Sequence, residues 1–331
     1  MQNNGVAMDG QRSMSARLLI AILLVYVFWG STYLAIARAI DSIPPFFMAS
    51  GRFLVAGGAL FCFMRFVRGE RVPARSWRSA WILGALLLLG GNGGVVYAEQ
   101  YVPSGVTALM VGSGPFWFLL LGWLWLKGAR PHALAVAGLL IGFTGLVILI
   151  GPGKSVGGAG HVPLLPALLV LGATISWSVG SIYSKTLHNQ ASPMMMAAMQ
   201  MLTGSVLMLI AGLLDGEGQR FSFAAVTGHS WAAWAYLVVF GSLVGFSAYI
   251  YVLRHATPAV ASTYAYVNPV VAVFLGWALA NEPITGRTLV AAGMIVGAVI
   301  LISWPRRRAV VAAPVVEFSS EDSKAPIAVS E

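Results

Sequence analysis

Residues 103–126 read PSGVTALMVGSGPFWFLLLGWLWL, and residues 258–280 read PAVASTYAYVNPVVAVFLGWALA. Neither stretch contains Asp, Glu, Lys or Arg, and as a helix each can cross a hydrocarbon core of about 30 Å. A helix is expected because lipid cannot satisfy the polar groups of an irregular backbone. The two stretches share a spacing, in which Pro115, Gly122 and Trp123 align with Pro269, Gly276 and Trp277. They predict a helical membrane protein with an internal repeat.

The whole chain has the composition that these two stretches suggest. Of its 331 residues, 58% are hydrophobic and 9% are charged, whereas soluble domains carry about 25% charged residues. The single Cys62 excludes a disulfide within the chain. Apolar runs predict ten transmembrane helices, at residues 18–39, 46–67, 80–98, 103–126, 133–150, 164–187, 194–214, 231–253, 258–280 and 289–304.

The distribution of positive charge predicts the orientation of these helices. Fourteen Lys and Arg residues fall on the side of the N-terminus and four on the opposite side. Cytoplasmic loops carry the excess of Lys and Arg, so both termini are predicted to be cytoplasmic in a bacterial inner membrane. The net charge of +9 is thus explained without a nucleic-acid partner. The polar segments 1–16 and 305–331 are predicted to be disordered.

The internal repeat covers almost the whole chain, as residues 17–151 and 163–304. Early in each copy Trp29 aligns with Trp177, Pro45 with Pro193 and Arg52 with Gln200, and later Gly91 aligns with Gly245. Each copy holds five helices, an odd number, so the second copy enters the membrane from the opposite side. Such inverted repeats are typical of secondary transporters, with the substrate site between the copies. A duplication without alternating access is the alternative.

Several motifs resemble those of one protein family. They are Trp29-Gly30-Ser31-Thr32-Tyr33, Pro44-Pro45, Arg52-Phe53-Leu54, Asn268-Pro269, and Asn281-Glu282-Pro283-Ile284-Thr285 followed by Gly293 and Gly297. The chain resembles the drug/metabolite transporter superfamily, in particular its ten-helix EamA-type exporters. The resemblance implies helices 1–4 and 6–9 around a central cavity, and export of amino acids, related metabolites or drugs. Gly128 stands where an acidic residue would match Glu282, so that feature belongs to one repeat only.

Polar and aromatic residues from both repeats converge on the middle of the membrane and predict the lining of a substrate cavity. These residues are Trp29, Tyr33, Asn92, Ser113, Trp117, Trp177, Ser181, Tyr264 and Asn268. Packing in the core or against lipid is the alternative for any one tryptophan. Pro115 and Pro269 each remove a helical hydrogen bond, which predicts a kink that serves as a gate or is static.

Arg52 is the only basic residue predicted inside a span away from its last few residues, and Gln200 occupies its mirrored position. An intramembrane charge normally faces a partner or an aqueous cavity. Arg52 would either attract a substrate carboxylate or clamp the end of a helix, and we favour the clamp.

The acidic residues fall outside the middle of the predicted helices. This favours facilitated transport, with Glu99 left as the candidate for proton coupling. The five His residues are scattered, so no metal site, cofactor or enzymatic activity is predicted. The sequence thus predicts an all-α membrane protein of ten helices that exports small metabolites, most simply aromatic or other amphipathic amino acids or drug-like solutes. It would work by alternating access, as a monomer or weak homodimer in the lipid bilayer; a channel or a membrane-embedded enzyme are the alternatives.

Overall fold

The structure, a computed structural model, describes residues 15–125, 130–131, 133–150, 163–187, 191–256, 260 and 263–303. Every regular element in these ranges is helical. Eight helices are long and apolar enough to cross a membrane, and two shorter apolar helices follow them. In chain order they are α1 Ala16–Ile40, α2 Pro45–Val67, α3 Ala74–Ala98, α4 Ser104–Leu124, α5 Ala133–Ile150, α6 Leu164–Thr186, α7 Pro193–Leu214, α8 Gly228–Val252, α9 Tyr264–Ala280 and α10 Gly286–Ser303.

The predicted fold class is confirmed, and the helix bounds differ at a few ends. Helix α3 begins at Ala74 and not at residue 80, because Arg75 and Arg78 interrupt the apolar run but not the helix. Helix α1 begins at Ala16, where the Ser15 side chain accepts a hydrogen bond from the Leu18 backbone. The rest of the termini predicted to be disordered, and most of the segment that leads into α9, lie outside the described residues.

The packing of the helices has pseudo-two-fold symmetry. Helix α1 packs against α8 and α9, and its counterpart α6 packs against α3 and α4. Likewise α2 packs against α8, and α7 against α3. The pairs α2–α7, α4–α9 and α5–α10 lie across the symmetry axis. Exchanging the two sets of five helices therefore reproduces the same neighbours, as an inverted repeat requires.

Two glycine contacts show this symmetry at the level of side chains. A Cβ atom placed on Gly245 would lie 2.5 Å from Nε1 of Trp29, and one placed on Gly91 would lie 3.0 Å from Cε3 of Trp177. The aligned tryptophans thus each lean on the aligned glycine of a neighbouring helix. Small residues at such contacts let membrane helices approach closely.

Within the described residues, three helices of the bundle contain π-helical segments: α2 has one at its end, Phe63–Val67, and α3 and α8 have one each at corresponding places. In α3 the segment is Gly84–Gly93, and in α8 it is Leu237–Val244. π-Helical turns are rare and occur frequently at functional sites. The segments of α3 and α8 face the opposite half: Ser176 of α6 donates to the carbonyl of Leu86, 2.7 Å away, and Phe28 of α1 packs on Phe240, with ring centroids 4.8 Å apart.

Side-chain carboxylates join the two halves at both ends of the bundle. At one end the oxygens of Glu217 accept from the backbone N–H groups of Phe46 and Phe47, at 2.9 and 2.8 Å. At the other, the oxygens of Glu70 accept from the backbone N–H and the hydroxyl of Ser192, both at 2.9 Å. Each carboxylate caps the N-terminus of a helix, α2 or α7, that belongs to the other half. These ends are called the Glu217 end and the Glu70 end below.

Candidate functional site

An aromatic cluster lies between α1, α8 and α9 in the middle of the bundle. The ring of Trp29 contacts those of Phe246, Tyr249 and Tyr264, with centroids 5.6, 4.8 and 5.4 Å apart. Tyr249 and Tyr264 also pack edge to face at 5.4 Å. Edge-to-face rings form a stiff apolar surface with polar edges. The structure thus brings together the predicted site residues Trp29 and Tyr264. It adds Phe246 and Tyr249, which sequence reasoning missed.

The symmetry-related position, where α6 packs against α3, presents a different surface. There Trp177 leans on Gly91, beside Asn92, whose Oδ1 is buried without a hydrogen-bond partner among the described residues. Asn268, on α9, is 7% exposed and its Oδ1 is likewise without one. Buried polar atoms almost always have a hydrogen-bond partner, so these two amide oxygens are available to accept a hydrogen bond from a solute. An aromatic cluster between α1, α8 and α9, together with amide oxygens on α3 and α9, suits a solute with apolar and polar parts.

The two predicted kinks differ. Helix α4 is interrupted at Gly112 and Ser113, just before Pro115. Helix α9 continues through Pro269. The two places touch, because a Cβ atom on Gly112 would lie 2.9 Å from Cγ of Pro269. Of the two positions predicted to be kinks or gates, only the one in α4 lies at a break in the helix.

Three further predicted residues point elsewhere or are satisfied locally. The hydroxyls of Ser113 and Ser181 donate to the carbonyls of Met110 and Trp177 in their own helices, at 2.6 and 2.8 Å. The ring of Trp117 packs edge to face on Phe143 of α5, with centroids 5.5 Å apart. The structure therefore does not bring Trp117 to the Trp29 cluster.

Arg52 is 3% exposed and points between α2 and α8. Its Nε donates to Oγ of Ser242, 2.8 Å away in the π-helical segment of α8, and its guanidinium lies 4.8 Å from the ring centre of Phe53. Its Nη1 has no partner among the described residues. Gln200, the mirrored residue, is 7% exposed. Arg52 thus clamps α8 with one nitrogen and keeps another available.

Glu99 follows the last residue of α3 and is 7% exposed. Neither of its carboxylate oxygens has a hydrogen-bond partner in the described part of the chain. Burial raises the pKa of the Glu99 carboxyl well above its ordinary value; the negative charge of Glu282 raises it further, and Arg52 lowers it. Tyr33 of α1 lies within the electrostatic influence of Glu99. The sequence left Glu99 as the candidate for proton coupling, and among the described residues the structure gives its carboxylate no capping role.

Comparison with known proteins accounts for this architecture. The family model of the EamA-like transporter family matches residues 16–151 and again residues 164–304. The chain belongs to the EamA-like transporter family. It is 37% identical over 309 residues to the uncharacterized inner membrane transporter YedA of Escherichia coli K12, an alignment that covers 91% of this chain and 96% of YedA.

Other relatives are more distant. A probable amino-acid metabolite efflux pump of Escherichia coli K12 is 28% identical over 301 residues, covering 85% of this chain and 93% of the pump. An uncharacterized transporter of Bacillus subtilis, YvbV, is 25% identical over 86% of this chain and 90% of its own length. A crystal structure with 22% identity aligns with 87% of this chain and 96% of its own at a TM-score of 0.59, and so shares the fold.

The C-terminal signature of this EamA-like transporter forms a cap between the halves. Asn281 has a positive φ of 54°, which ends α9 and turns the chain back. The oxygens of Glu282 then accept from the backbone N–H and the hydroxyl of Ser104, at 2.9 and 2.6 Å, and from the Gly105 N–H at 3.0 Å. Thr285 accepts from the Thr288 N–H at 3.1 Å and starts α10.

Sequence reasoning had no basis for predicting the three capping carboxylates, because each cap joins residues more than a hundred positions apart. The sequence shows only that these carboxylates lie near the ends of predicted spans, and the need for a partner appears with the burial that the structure shows. Glu217 is 0% exposed in a connection between spans, where a carboxylate needs a partner. Burial raises its pKa, while the N–H groups of Phe46 and Phe47 lower it.

Proposed function

We propose that this EamA-like transporter exports small amphipathic solutes, amino acids first, across the bacterial inner membrane by alternating access, with both termini cytoplasmic. The observation that carries the proposal is the pseudo-two-fold packing of α1–α5 on α6–α10 with unlike surfaces at its centre. Because the two five-helix repeats have the same packing but opposite orientations in the membrane, the bundle has two forms of similar energy, each open to one side. The name of the probable amino-acid metabolite efflux pump supports the same class of solute.

The solute would lie between the Trp29 cluster and the amide oxygens of Asn92 and Asn268. A side chain with apolar surface would pack on the rings, and N–H groups would donate to the orphaned oxygens. The unpartnered Nη1 of Arg52 would attract a carboxylate. On this proposal the solute crosses the membrane without chemical change.

Counterflow in proteoliposomes tests the proposal. Vesicles loaded with unlabelled amino acids should take up a trace of the tritiated mixture transiently, and the recovered solutes should be unaltered. A channel would show no transient accumulation, and an enzyme would return altered compounds; either result would contradict the proposal.

The variant Trp29→Ala is expected to lower the counterflow rate at low solute concentration by about tenfold, because it removes the central ring of the cluster. Trp277→Ala is the matched control, since Trp277 is 53% exposed on α9 and lies outside the cluster. Equal losses in the two variants would remove Trp29 from the site.

A further inference from the structure

Glu99 is the carboxylate whose role the fold does not explain. Three other glutamates near the helix ends, Glu70, Glu217 and Glu282, each accept at least two hydrogen bonds from the N-terminus of a helix. Glu99 accepts none among the described residues, although it is 7% exposed. Among the described residues Glu99 therefore caps no helix, whereas the other three glutamates do.

The charges around Glu99 do not compensate an ionised carboxylate. Arg52 of α2 is the nearby cation, but its Nε bonds to Ser242, and no ion pair within 4.0 Å joins it to Glu99. Glu282, from the connection between α9 and α10, adds negative charge, and Tyr33 of α1 is neutral. A buried carboxylate without hydrogen bonds is far more stable when protonated than when ionised. In this conformation Glu99 therefore holds a proton.

We propose that Glu99 is the proton-binding site of the transport cycle and that it exchanges its proton for the ammonium group of the solute. This rests on the proposed function, since it supplies the energy coupling for the same export. It also replaces the facilitated transport that the sequence favoured, because a proton carrier need not lie at mid-depth when the whole region is buried.

The exchange needs no covalent change in the solute. When the site opens to water, the O–H bond of the Glu99 carboxyl breaks and the proton leaves to water. The carboxylate then accepts hydrogen bonds from the solute ammonium group, and Nη1 of Arg52 donates to the solute carboxylate. On the other side the solute leaves and water returns a proton to Glu99. The carboxyl of Glu99 thus binds either a proton or the ammonium group of the solute, and the two cross the membrane in opposite directions.

Proteoliposomes with the tritiated amino-acid mixture test the coupling. In wild-type protein, a lumen more acidic than the medium by about one pH unit should stimulate uptake and raise the accumulation of label by up to about tenfold, the concentration ratio of the protons. Glu99→Gln should lose this stimulation because an amide does not bind the proton. It should keep counterflow at equal pH because the amide oxygen still accepts a hydrogen bond from an ammonium group, and the KM should rise because the negative charge is lost. Asp215→Asn is the matched control at the same end, since Asp215 pairs on the surface with Arg220, and it should keep the stimulation.

The outcomes separate the two proposals. Wild-type counterflow without stimulation by the gradient would overturn proton exchange and leave the proposed function standing, whereas absence of counterflow would overturn the proposed function. Stimulation that survives in Glu99→Gln would place the proton elsewhere. If that variant fails to fold, the detergent-solubilised wild type decides. Adding the amino-acid mixture in weak buffer should release protons, and no release would refute the exchange.

Discussion

Replacing Gly57 by leucine is expected to abolish the folded protein. Gly57 lies in α2 where it crosses α7, and a Cβ atom there would lie 2.7 Å from Cβ of Met201, 3.1 Å from the Leu202 nitrogen and 3.2 Å from the Ala198 carbonyl oxygen. Two of these atoms belong to the backbone and cannot move aside. Overpacking by single methylenes costs about 1–3 kcal/mol, and a whole domain is stable by about 5–15 kcal/mol. Four added carbon atoms should therefore separate the two helices.

The neighbouring glycine is the control for this prediction. A Cβ atom on Gly58 meets nothing within 4 Å, so Gly58→Leu adds the same atoms to the same helix without a clash. We expect the monodisperse fraction in size-exclusion chromatography to fall at least about tenfold for Gly57→Leu and to stay at the wild-type level for Gly58→Leu. Gly57→Ala should fold with a lower thermal midpoint. Equal behaviour of the two leucine variants would show that α2 and α7 are not packed as described.

The helices and the repeat could be predicted from the sequence because the bilayer constrains them strongly. Each span needs a long apolar run, and the pairs Trp29 with Trp177 and Gly91 with Gly245 survive in the aligned copies. The structure shows why these pairs belong together, since each tryptophan packs on the glycine of the opposite half. A spacing that repeats in sequence thus marked a contact that repeats in space.

The side chains of the site were predicted less well, because depth along a helix does not give direction around it. Trp117 has the expected depth but packs on Phe143 of α5. Tyr249 was not considered, although it contacts both Trp29 and Tyr264. The roles of the carboxylates depend on partners that are distant in sequence. Nothing local distinguishes Glu282, which caps α4, from Glu99, which has no partner among the described residues.

The Glu282 cap joins the two halves at the Glu217 end of the bundle. Its three hydrogen bonds tie the connection after α9 to the first turn of α4. Gly276 makes room for it, since a Cβ atom there would lie 2.5 Å from Oε2 of Glu282. The corresponding sequence position in the first half is Gly128, outside the described residues, which has no carboxylate. The hydrogen bonds of Glu282 therefore have no carboxylate counterpart at the aligned position of the first repeat, which follows α4 at the Glu70 end.

Glu282→Ala is expected to open this end and to change the balance of the two forms by about 100-fold. Hydrogen bonds to a charged group contribute about 1.5–3 kcal/mol each. The three act together, so we take about 3 kcal/mol for the set, at about 1.4 kcal/mol per tenfold. Val106 lies in α4 directly behind the cap and is 3% exposed. With Cys62 replaced by serine, a cysteine introduced by Val106→Cys should react with a water-soluble maleimide in nanodiscs about 100-fold faster when Glu282 is alanine.

Two further variants separate opening of the gate from general loosening of the structure. A cysteine introduced by Tyr101→Cys, at a residue that is 52% exposed in the same connection, should react at the same rate with or without Glu282. Glu282→Gln keeps one acceptor oxygen and should accelerate the Val106→Cys reaction by an intermediate factor, about tenfold. Under the proposed alternating access, transport needs both forms, so counterflow should fall along the series from glutamate to glutamine to alanine. Unchanged labelling in Glu282→Ala would mean that the cap does not control access to Val106, and other contacts at this end, such as those of Glu217 with α2, would then have to protect it.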